Sequence, residues 1–395
     1  NRIVSARSGD VMKVFLVAGE LSGDRLGGAL MQGLISCRPD IEFIGVGGPL
    51  MAEQGLQSLF PMDELSVMGI AEVLPKYRHL KRRMHQTAQA VLDAKPDVLV
   101  TIDSPDFCLR VAKEVKAAST IRTVHYVAPS VWAWRPKRAA KMARMIDQVL
   151  ALLPFEPPYM QAHGMRCDFV GHPVVCEPIA TDAEVAEFRA SFGINDAPLV
   201  LALPGSRRGE VSRLTPAFGE TIRQVAAKVP DARVVVPAAA PVAEMVRELT
   251  QSWDIAPILL DPTQTDFETA QATKRAAFRA ADVALAASGT VSLELAANQT
   301  PMVIAYDMSW LSWQIMSRAA LIDTVTLVNL VSDTRVVPEF LGPAFVPENI
   351  AQALVQVLQD PSAQSAAMIL TMERLGLGQE QPGLRAAKAV LDGLG

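Results

Sequence analysis

The stretches that decide the fold are Leu203-Pro-Gly-Ser-Arg-Arg-Gly-Glu210 and Ala287-Ser-Gly-Thr-Val-Ser-Leu-Glu294. Each follows a short apolar run, residues 199–203 and 283–287, and each leads into a segment with helical character. A glycine and a hydroxyl residue at a strand-to-helix turn let backbone N–H groups approach an anion, and the helix dipole favours negative charge there. The two stretches therefore predict α/β structure with an anion held between two helix N-termini.

The side chains of these turns indicate which anion is bound. Arg207 adds a guanidinium that can bind a phosphate through two hydrogen bonds. Glu294 carries a carboxylate that could accept both hydroxyls of a ribose. We therefore expect a nucleotide diphosphate to contact Gly205, Ser206, Arg207, Ser288, Gly289, Thr290 and Glu294.

Short β-like runs alternate with helical segments along the whole chain, which is typical of parallel α/β layers. The predicted strands are 13–18, 41–46, 97–102, 121–127 and 148–153, and then 199–203, 232–236, 258–260, 283–286 and 302–305. With 395 residues, two Rossmann-like domains facing across a cleft are expected. The predicted domains are residues 12–172 and 173–360, followed by C-terminal helices, residues 361–395, that cross back over the first domain.

Composition excludes several classes of protein. The net charge of −5 argues against nucleic-acid binding, which needs a basic face. No window of 18 apolar residues predicts a transmembrane helix, and residues 1–11 are polar, unlike a secretory signal. The four cysteines, Cys37, Cys108, Cys167 and Cys176, show no CxxC pairing and are predicted to be reduced.

The first predicted turn, Gly19-Glu-Leu-Ser-Gly-Asp24, lacks the GxGxxG spacing of a dinucleotide site. Either Gly19, Ser22 and Gly23 bring the backbone close to a substrate, or Ser22 simply caps a helix. The chain contains no Asp-x-Asp pair, and its five histidines show no metal-ligand spacing. We therefore expect neither a cofactor nor a metal, and arginine with helix N-termini would stabilise a departing diphosphate.

The segment Val100-Thr-Ile-Asp-Ser-Pro-Asp106 contains the best candidate for a catalytic base. Ser104 suits an N-cap, Pro105 the first helical position and Asp106 the first helical turn. This leaves Asp103 at the carboxyl end of a strand, where a carboxylate can take a proton from a hydroxyl. The alternative is an aspartate that only stabilises the turn.

Two segments place apolar residues beside cations, Val67–Met84 and Ser130-Val-Trp-Ala-Trp-Arg-Pro-Lys-Arg138. The first is either an edge that touches an anionic membrane surface or a solvated helix face. The second either contacts a lipid phosphate or is a packed loop before a helix.

Several strings together resemble the lipid-A-disaccharide synthase family. They are Val17-Ala-Gly-Glu-Leu-Ser-Gly-Asp24, Val67-Met-Gly-Ile70, Ile102-Asp-Ser-Pro-Asp-Phe107, His125-Tyr-Val-Ala-Pro-Ser-Val-Trp-Ala-Trp-Arg135, Leu153-Pro-Phe-Glu156, Gly171-His-Pro173, Pro204-Gly-Ser-Arg207 and Ala287-Ser-Gly-Thr290. The resemblance implies a metal-independent, inverting glycosyltransferase of the GT-B type. Such an enzyme joins UDP-2,3-diacylglucosamine to 2,3-diacylglucosamine 1-phosphate, giving UDP and the β-1,6 disaccharide of lipid A.

The resemblance also implies roles and a location. Asp103 matches the family's proposed base, Arg207 an arginine important for activity, and Asn329 an asparagine near the donor site. The family works as a peripheral protein on the cytoplasmic face of the inner membrane of Gram-negative bacteria. The helical tail could pack within one chain or exchange between two, so a homodimer stays open.

Two other functions stay open at this point. A UDP-N-acetylglucosamine 2-epimerase, or another UDP-sugar enzyme on the same fold, would have a similar second domain but no acceptor. A lipid or nucleotide carrier would bind these ligands without turnover.

Overall fold

The computed structural model describes residues 11–66 and 73–395. They form two compact units. The first unit contains the described residues up to Pro173 together with Gly378–Gly395, and the second contains Val174–Leu377.

The first unit is built on a parallel six-stranded sheet with the order β2-β1-β3-β4-β5-β6. The strands are β1 (Met12–Ala18), β2 (Ile41–Val46), β3 (Val98–Ile102), β4 (Arg122–Tyr126), β5 (Gln148–Ala151) and β6 (Arg166–Phe169). The helices between them are α1 (Leu21–Cys37), α2 (Pro49–Glu53), α3 (Val73–Ala94), α4 (Pro105–Ala118), α5 (Lys137–Met142) and α6 (Pro157–Gln161). Strands β3 and β5 are buried along their whole length, as expected when helices cover both faces of a parallel sheet.

The second unit repeats this design with the strand order β12-β11-β10-β7-β8-β9. The strands are β7 (Leu199–Leu203), β8 (Arg233–Pro237), β9 (Ile258–Leu260), β10 (Val283–Ala286), β11 (Met302–Tyr306) and β12 (Glu339–Leu341). The helices are α7 (Asp182–Ser191), α8 (Arg208–Lys228), α9 (Ala243–Thr250), α10 (Phe267–Ala280), α11 (Ser292–Ala297), α12 (Trp310–Ala319), α13 (Leu327–Ser332), α14 (Pro347–Gln359) and α15 (Ser362–Arg374).

Each strand order contains a point where the chain reverses direction across the sheet. In the first unit β1 pairs with β2 on one side and β3 on the other. In the second unit β7 pairs with β8 on one side and β10 on the other. Ligands of open α/β sheets bind beyond the carboxyl ends of the strands at such a switch point. The turns after β1, β3, β7 and β10 are therefore the positions where ligand binding is expected.

Two short strands were missing from the prediction, β6 and β12. Arg166-Cys-Asp-Phe169 alternates polar and apolar residues over only four positions, and Glu339–Leu341 covers three half-buried positions. Both lie at the edge of a sheet, and both begin with a charged residue, so neither has the uninterrupted apolar sequence of the equally short edge strand β9.

The C-terminal segment that crosses back to the first unit begins later than predicted. Helix α15 packs against α11 and α13 of the second unit, so the return starts at Gly378 rather than at residue 361. The last helix, α16 (Pro382–Asp392), then packs against α1 in the first unit. Glycines make this packing close, because a Cβ on Gly33 would lie 2.6 Å from the carbonyl oxygen of Gly383.

Candidate functional site

The second unit has a large cavity at the switch point between β7 and β10. Its volume is about 1260 Å³, above the range of common small-molecule pockets and ample for a nucleotide sugar. Both turns singled out in the sequence line it, through residues 205–207 and through Ser288 and Thr290. The pairing of β7 with β10 brings the two turns together.

The turn after β7 places a glycine where only a glycine fits. Gly205 has φ +115°, and a Cβ there would lie 2.7 Å from the Glu210 carboxylate. The Glu210 carboxylate in turn accepts a 3.4 Å hydrogen bond from the backbone N–H of Ser206, at the start of the 21-residue helix α8. Arg207 is exposed at the cavity, and its guanidinium forms no ion pair within the described part of the chain.

The turn after β10 differs from the prediction in one respect. The hydroxyls of Ser288 and Thr290 lie 2.6 Å apart and face the cavity. The following helix, α11, has only six residues and begins at Ser292, so its dipole adds little to this turn. The second helix N-terminus that the sequence predicted is therefore present but short, and the hydroxyls and backbone of the turn are its main polar groups.

Gly289 lies inside this turn and does not line the cavity. A Cβ there would lie 2.1 Å from the carbonyl oxygen of Val325. The glycine is needed for close backbone packing, and the prediction that Gly289 contacts a ligand becomes a role in shaping the turn.

Glu294 lines the cavity together with Lys274 of α10. The Lys274 ammonium lies 3.2 Å from the Glu294 carboxylate, and both side chains are about two-fifths exposed. Lys274 could not be predicted from the sequence, because nothing local distinguishes a single lysine on a helix as part of a site. Its position follows from the packing of α10 beside β7, β8 and β9.

Asn329 is buried away from the cavity. Its amide nitrogen donates to Thr324 Oγ1 and to the Val337 carbonyl, both at 3.1 Å, and its Oδ1 accepts from the Val337 N–H at 3.0 Å. The side chain is 1% exposed. Asn329 therefore holds two loops together, which corrects the prediction that it contacts the donor.

The switch point of the first unit joins Asp103 to the turn after β1. Ser22 Oγ donates a 3.0 Å hydrogen bond to Asp103 Oδ2. The hydroxyl is thus bonded to the candidate base and does not cap α1, whose N-cap is Glu20. Asp103 itself has φ +52°, and its N–H donates to the Tyr126 carbonyl of β4. The carboxylate is held in place beyond the carboxyl end of β3, which lies between β1 and β4.

Ser104 is a polar residue of this edge that the sequence analysis treated only as a cap. It does occupy the N-cap position of α4, but its side chain makes no capping hydrogen bond. Its hydroxyl is buried without a partner among the described residues. A Cβ on Gly19 would lie 2.8 Å from this hydroxyl, so Gly19 leaves the space beside Ser104 open.

The rest of the first turn is structural. Gly23 lies within α1, where a Cβ would contact Ala18 and the Ile102 carbonyl at 3.3 Å. The buried Asp24 carboxylate accepts hydrogen bonds from the N–H groups of Gly48, Leu50 and Met51, each at 3.0 Å. Asp24 therefore caps the N-terminus of α2. Gly23 allows close packing and is not placed to contact a ligand.

Burial shifts the pKa of two histidines and of one glutamate in this unit. Burial lowers the pKa of His125 to about 4, assisted by the charge of Arg138, and lowers the pKa of His172 to about 4. Burial raises the pKa of Glu156 to about 7, although Trp132 and backbone N–H groups hydrogen-bond its carboxylate. The two histidines are therefore neutral at pH 7.

The segment Val67–Met84 can be followed only in part, since residues 67–72 lie outside the described residues. In the remainder, Arg83 makes two hydrogen bonds to the Glu64 carboxylate and its guanidinium lies over the Phe60 ring. His79 also contacts Glu64, at 2.6 Å. Part of the basic cluster is thus bound within the protein.

Among residues 11–66 and 73–395, no group of three or more His, Cys, Asp or Glu side chains is placed to hold a metal ion. No helix there has both the length and the apolar character needed to span a membrane.

Solved structures share this architecture at low sequence identity. A putative UDP-N-acetylglucosamine 2-epimerase from Listeria monocytogenes matches with a TM-score of 0.61 and 13% identity, covering 97% of this chain and 95% of that one. The UDP-GlcNAc 2-epimerase from Neisseria meningitidis, solved with UDP-GlcNAc, matches with a TM-score of 0.60 and 13% identity over 97% and 99% of the two chains. The two parallel sheets and these structural matches define an α/β protein with a fold of the GT-B type.

Sequence relatives identify the family within that class. The family model of lipid-A-disaccharide synthetase matches residues 14–391. The lipid-A-disaccharide synthase of Ruegeria pomeroyi is 65% identical over 99% of this chain and 98% of its own length, and that of Rhodospirillum centenum is 48% identical over 96% and 94%. The chain belongs to the lipid-A-disaccharide synthase family, a family of glycosyltransferases in lipid A biosynthesis.

Proposed function

We propose that the chain joins UDP-2,3-diacylglucosamine to 2,3-diacylglucosamine 1-phosphate in a single inverting displacement, with Asp103 as general base. The observation that carries this proposal is the Ser22–Asp103 hydrogen bond of 3.0 Å at the switch point of the first unit. A hydroxyl donor on one oxygen fixes the direction of the carboxylate. Its other oxygen can then accept the proton of the acceptor 6-hydroxyl as that oxygen attacks the anomeric carbon.

The second unit takes the donor in this proposal. Arg207 binds the diphosphate with two hydrogen bonds and neutralises the charge that develops as UDP departs. The backbone at Gly205 and Ser206 and the hydroxyls of Ser288 and Thr290 supply further donors. The Glu294 carboxylate accepts hydrogen bonds from the ribose hydroxyls. The neighbouring Lys274 ammonium balances the charge of Glu294.

The proposal includes a peripheral position on the cytoplasmic face of the inner membrane, since both sugars carry acyl chains. Helix α12 supports it. Trp310, Leu311 and Ile315 on this helix are 63–72% exposed, which is unusual for three large apolar side chains on one short helix.

Asp103→Asn tests the assignment of the base, with release of UDP measured in the presence of both acylated substrates. The amide keeps the shape of the side chain but cannot take a proton, so turnover should fall by about 10²–10⁴-fold. The dissociation constant of UDP should stay unchanged, because UDP binds the other unit. Asp40→Asn is the matched control, since this exposed aspartate precedes β2 at the opposite edge of the same sheet.

Near-normal turnover in Asp103→Asn would rule out Asp103 as the base. Incubation with UDP-GlcNAc alone separates the proposal from the 2-epimerase alternative, because only an epimerase would form UDP-ManNAc without an acceptor.

A further inference from the structure

The β4–α5 loop, residues 127–136, begins beside Asp103. The carbonyl of Tyr126, the last residue of β4, accepts the hydrogen bond from the Asp103 N–H at 3.0 Å. The loop continues from Val127, which has φ +87°, a strained conformation for a β-branched residue. The loop therefore leaves the sheet at the same edge as the candidate base.

The far end of the loop returns to the same place. Arg138, in the first turn of α5, lies 3.7 Å from the carboxylate of Asp106 in the first turn of α4. Asp106 follows Asp103 by three residues. Both ends of the loop are thus placed at the Asp103 turn, which keeps the residues between them close to that turn.

A buried carboxylate holds the middle of the loop. Glu156 Oε2 accepts a 3.2 Å hydrogen bond from the Trp132 indole N–H, and its Oε1 accepts a 2.9 Å bond from the Leu153 N–H. The Trp132 ring packs edge-on against Phe155 with centroids 5.0 Å apart. Glu156 is 3% and Trp132 8% exposed. A buried acceptor bonded to one indole is a specific attachment, because the indole has a single N–H to offer.

The loop that Glu156 holds contains an arginine, Arg135, whose charge is not paired within the described residues. Arg135 is exposed and has φ +46°, and its guanidinium has no hydrogen bond or ion pair within the described residues. It follows Trp132 by three positions and precedes Arg138 by three. A loop that is held at Trp132 and carries an unpaired guanidinium three residues later is suited to bind an anion beside Asp103.

We propose that Arg135 binds the phosphate of the acceptor and that the Glu156–Trp132 pair holds the loop that presents it. This inference rests on the proposed function, which places the acceptor at Asp103. A phosphomonoester carries nearly two negative charges and three acceptor oxygens, and a guanidinium matches two of those oxygens at once. Arg135 is then a binding residue, and Glu156 and Trp132 are positioning residues.

The experiment compares two acceptors that differ only in the phosphate, both with short acyl chains and in neutral detergent. Wild-type protein should strongly prefer the phosphorylated acceptor. Arg135→Gln should raise the KM for that acceptor by roughly ten- to a hundredfold and leave the KM for the unphosphorylated acceptor and for the donor unchanged. Arg135→Lys keeps the charge but cannot make two parallel hydrogen bonds, so its KM for the phosphorylated acceptor should lie between those of the wild type and Arg135→Gln.

Glu156→Gln and Trp132→Phe test the positioning role. Each should raise the KM for the phosphorylated acceptor, by about fivefold or more, while the KM for the donor and the affinity for UDP stay unchanged. A general loss of structure would change all three quantities together. Arg144→Gln is the control for charge, since Arg144 is another exposed arginine of the first unit.

Two results would overturn the inference and leave the proposed function standing. One is an Arg135→Gln protein that prefers the phosphorylated acceptor as strongly as the wild type. The other is an unchanged preference combined with weaker binding to vesicles of anionic lipid, which would assign Arg135 to a bilayer headgroup. Absence of wild-type turnover with both substrates overturns the proposed function, and the inference with it.

Discussion

Glu156→Gln should remove part of the pH dependence of folding stability. Burial raises the pKa of Glu156 from 4.5 to about 7. Between these values the folded protein holds a proton that the unfolded chain has released, so the free energy of unfolding falls as the pH rises. The stabilisation from protonated Glu156 is complete below pH 4.5 and is lost above pH 7.

The shift sets the size of the effect. A difference of one pKa unit corresponds to about 1.4 kcal/mol, so the shift at Glu156 amounts to roughly 3 kcal/mol across the window. The glutamine variant does not titrate. The difference in unfolding free energy between wild type and variant should therefore change by about this amount, against the wild type, as the pH rises from 4.5 to 7.5.

Urea unfolding at pH 5, 6 and 7.5, followed by tryptophan fluorescence, measures this difference. His125 and His172 also titrate in the window, since their pKa values are lowered to about 4, but they do so equally in both proteins. Glu184→Gln is the control, because hydrogen bonds from Thr181 lower the pKa of Glu184 below its ordinary value of 4.5, so its difference from the wild type should stay constant from pH 5 to 7.5. A wild-type-minus-variant difference that is the same at all three pH values would refute the reasoning for Glu156.

Three further predictions concern packing, capping and reactivity. Gly289→Ala should lower the melting temperature and abolish UDP binding, because its Cβ would lie 2.1 Å from the carbonyl oxygen of Val325. Gly209→Ala is the control, since a Cβ there lies in open space and should stabilise α8 by about 0.5–1 kcal/mol. Equal melting temperatures of the two variants would contradict this prediction. Asp24→Ala, which removes the acceptor of three N–H groups, should cost about 2–4 kcal/mol in urea unfolding, and an unchanged midpoint would count against it. Cys37, which is exposed, should react with a thiol reagent in the native state, and Cys108, whose pKa burial raises to about 12, only on unfolding; native labelling of Cys108 would be inconsistent with its burial.

Most of the fold could be predicted from the sequence. Strands β2, β7, β9 and β10 have the predicted bounds, because each is a short run rich in apolar residues that is bounded by turn residues. The edge strands β6 and β12 were missed, since charged residues occupy two of the four positions in β6 and one of the three in β12. The start of the return to the first unit was placed too early, because the apolar face of α15 does not reveal which unit it covers.

The candidate site divides in the same way. The turns that contain Gly205 and Asp103 could be read from the sequence because their geometry is local: a strand ends, a residue with positive φ follows, and a helix begins. The role of Lys274 and the burial of Asn329 could not, since both depend on elements that are distant in the chain.

The sequence by itself determined most of the strands, the turns that follow them and the family of this protein. Local pattern decides these, because burial on two faces selects apolar runs and a turn with φ +115° selects glycine. Only the tertiary structure decided which turns meet. Parallel pairing of β7 with β10 brings the turns of Arg207 and Ser288 to the same cavity, and pairing of β1 with β3 brings Ser22 to Asp103. It also buried Glu156 beneath Trp132, an attachment across 24 residues that follows from the packing of β4 and β5 rather than from any local preference.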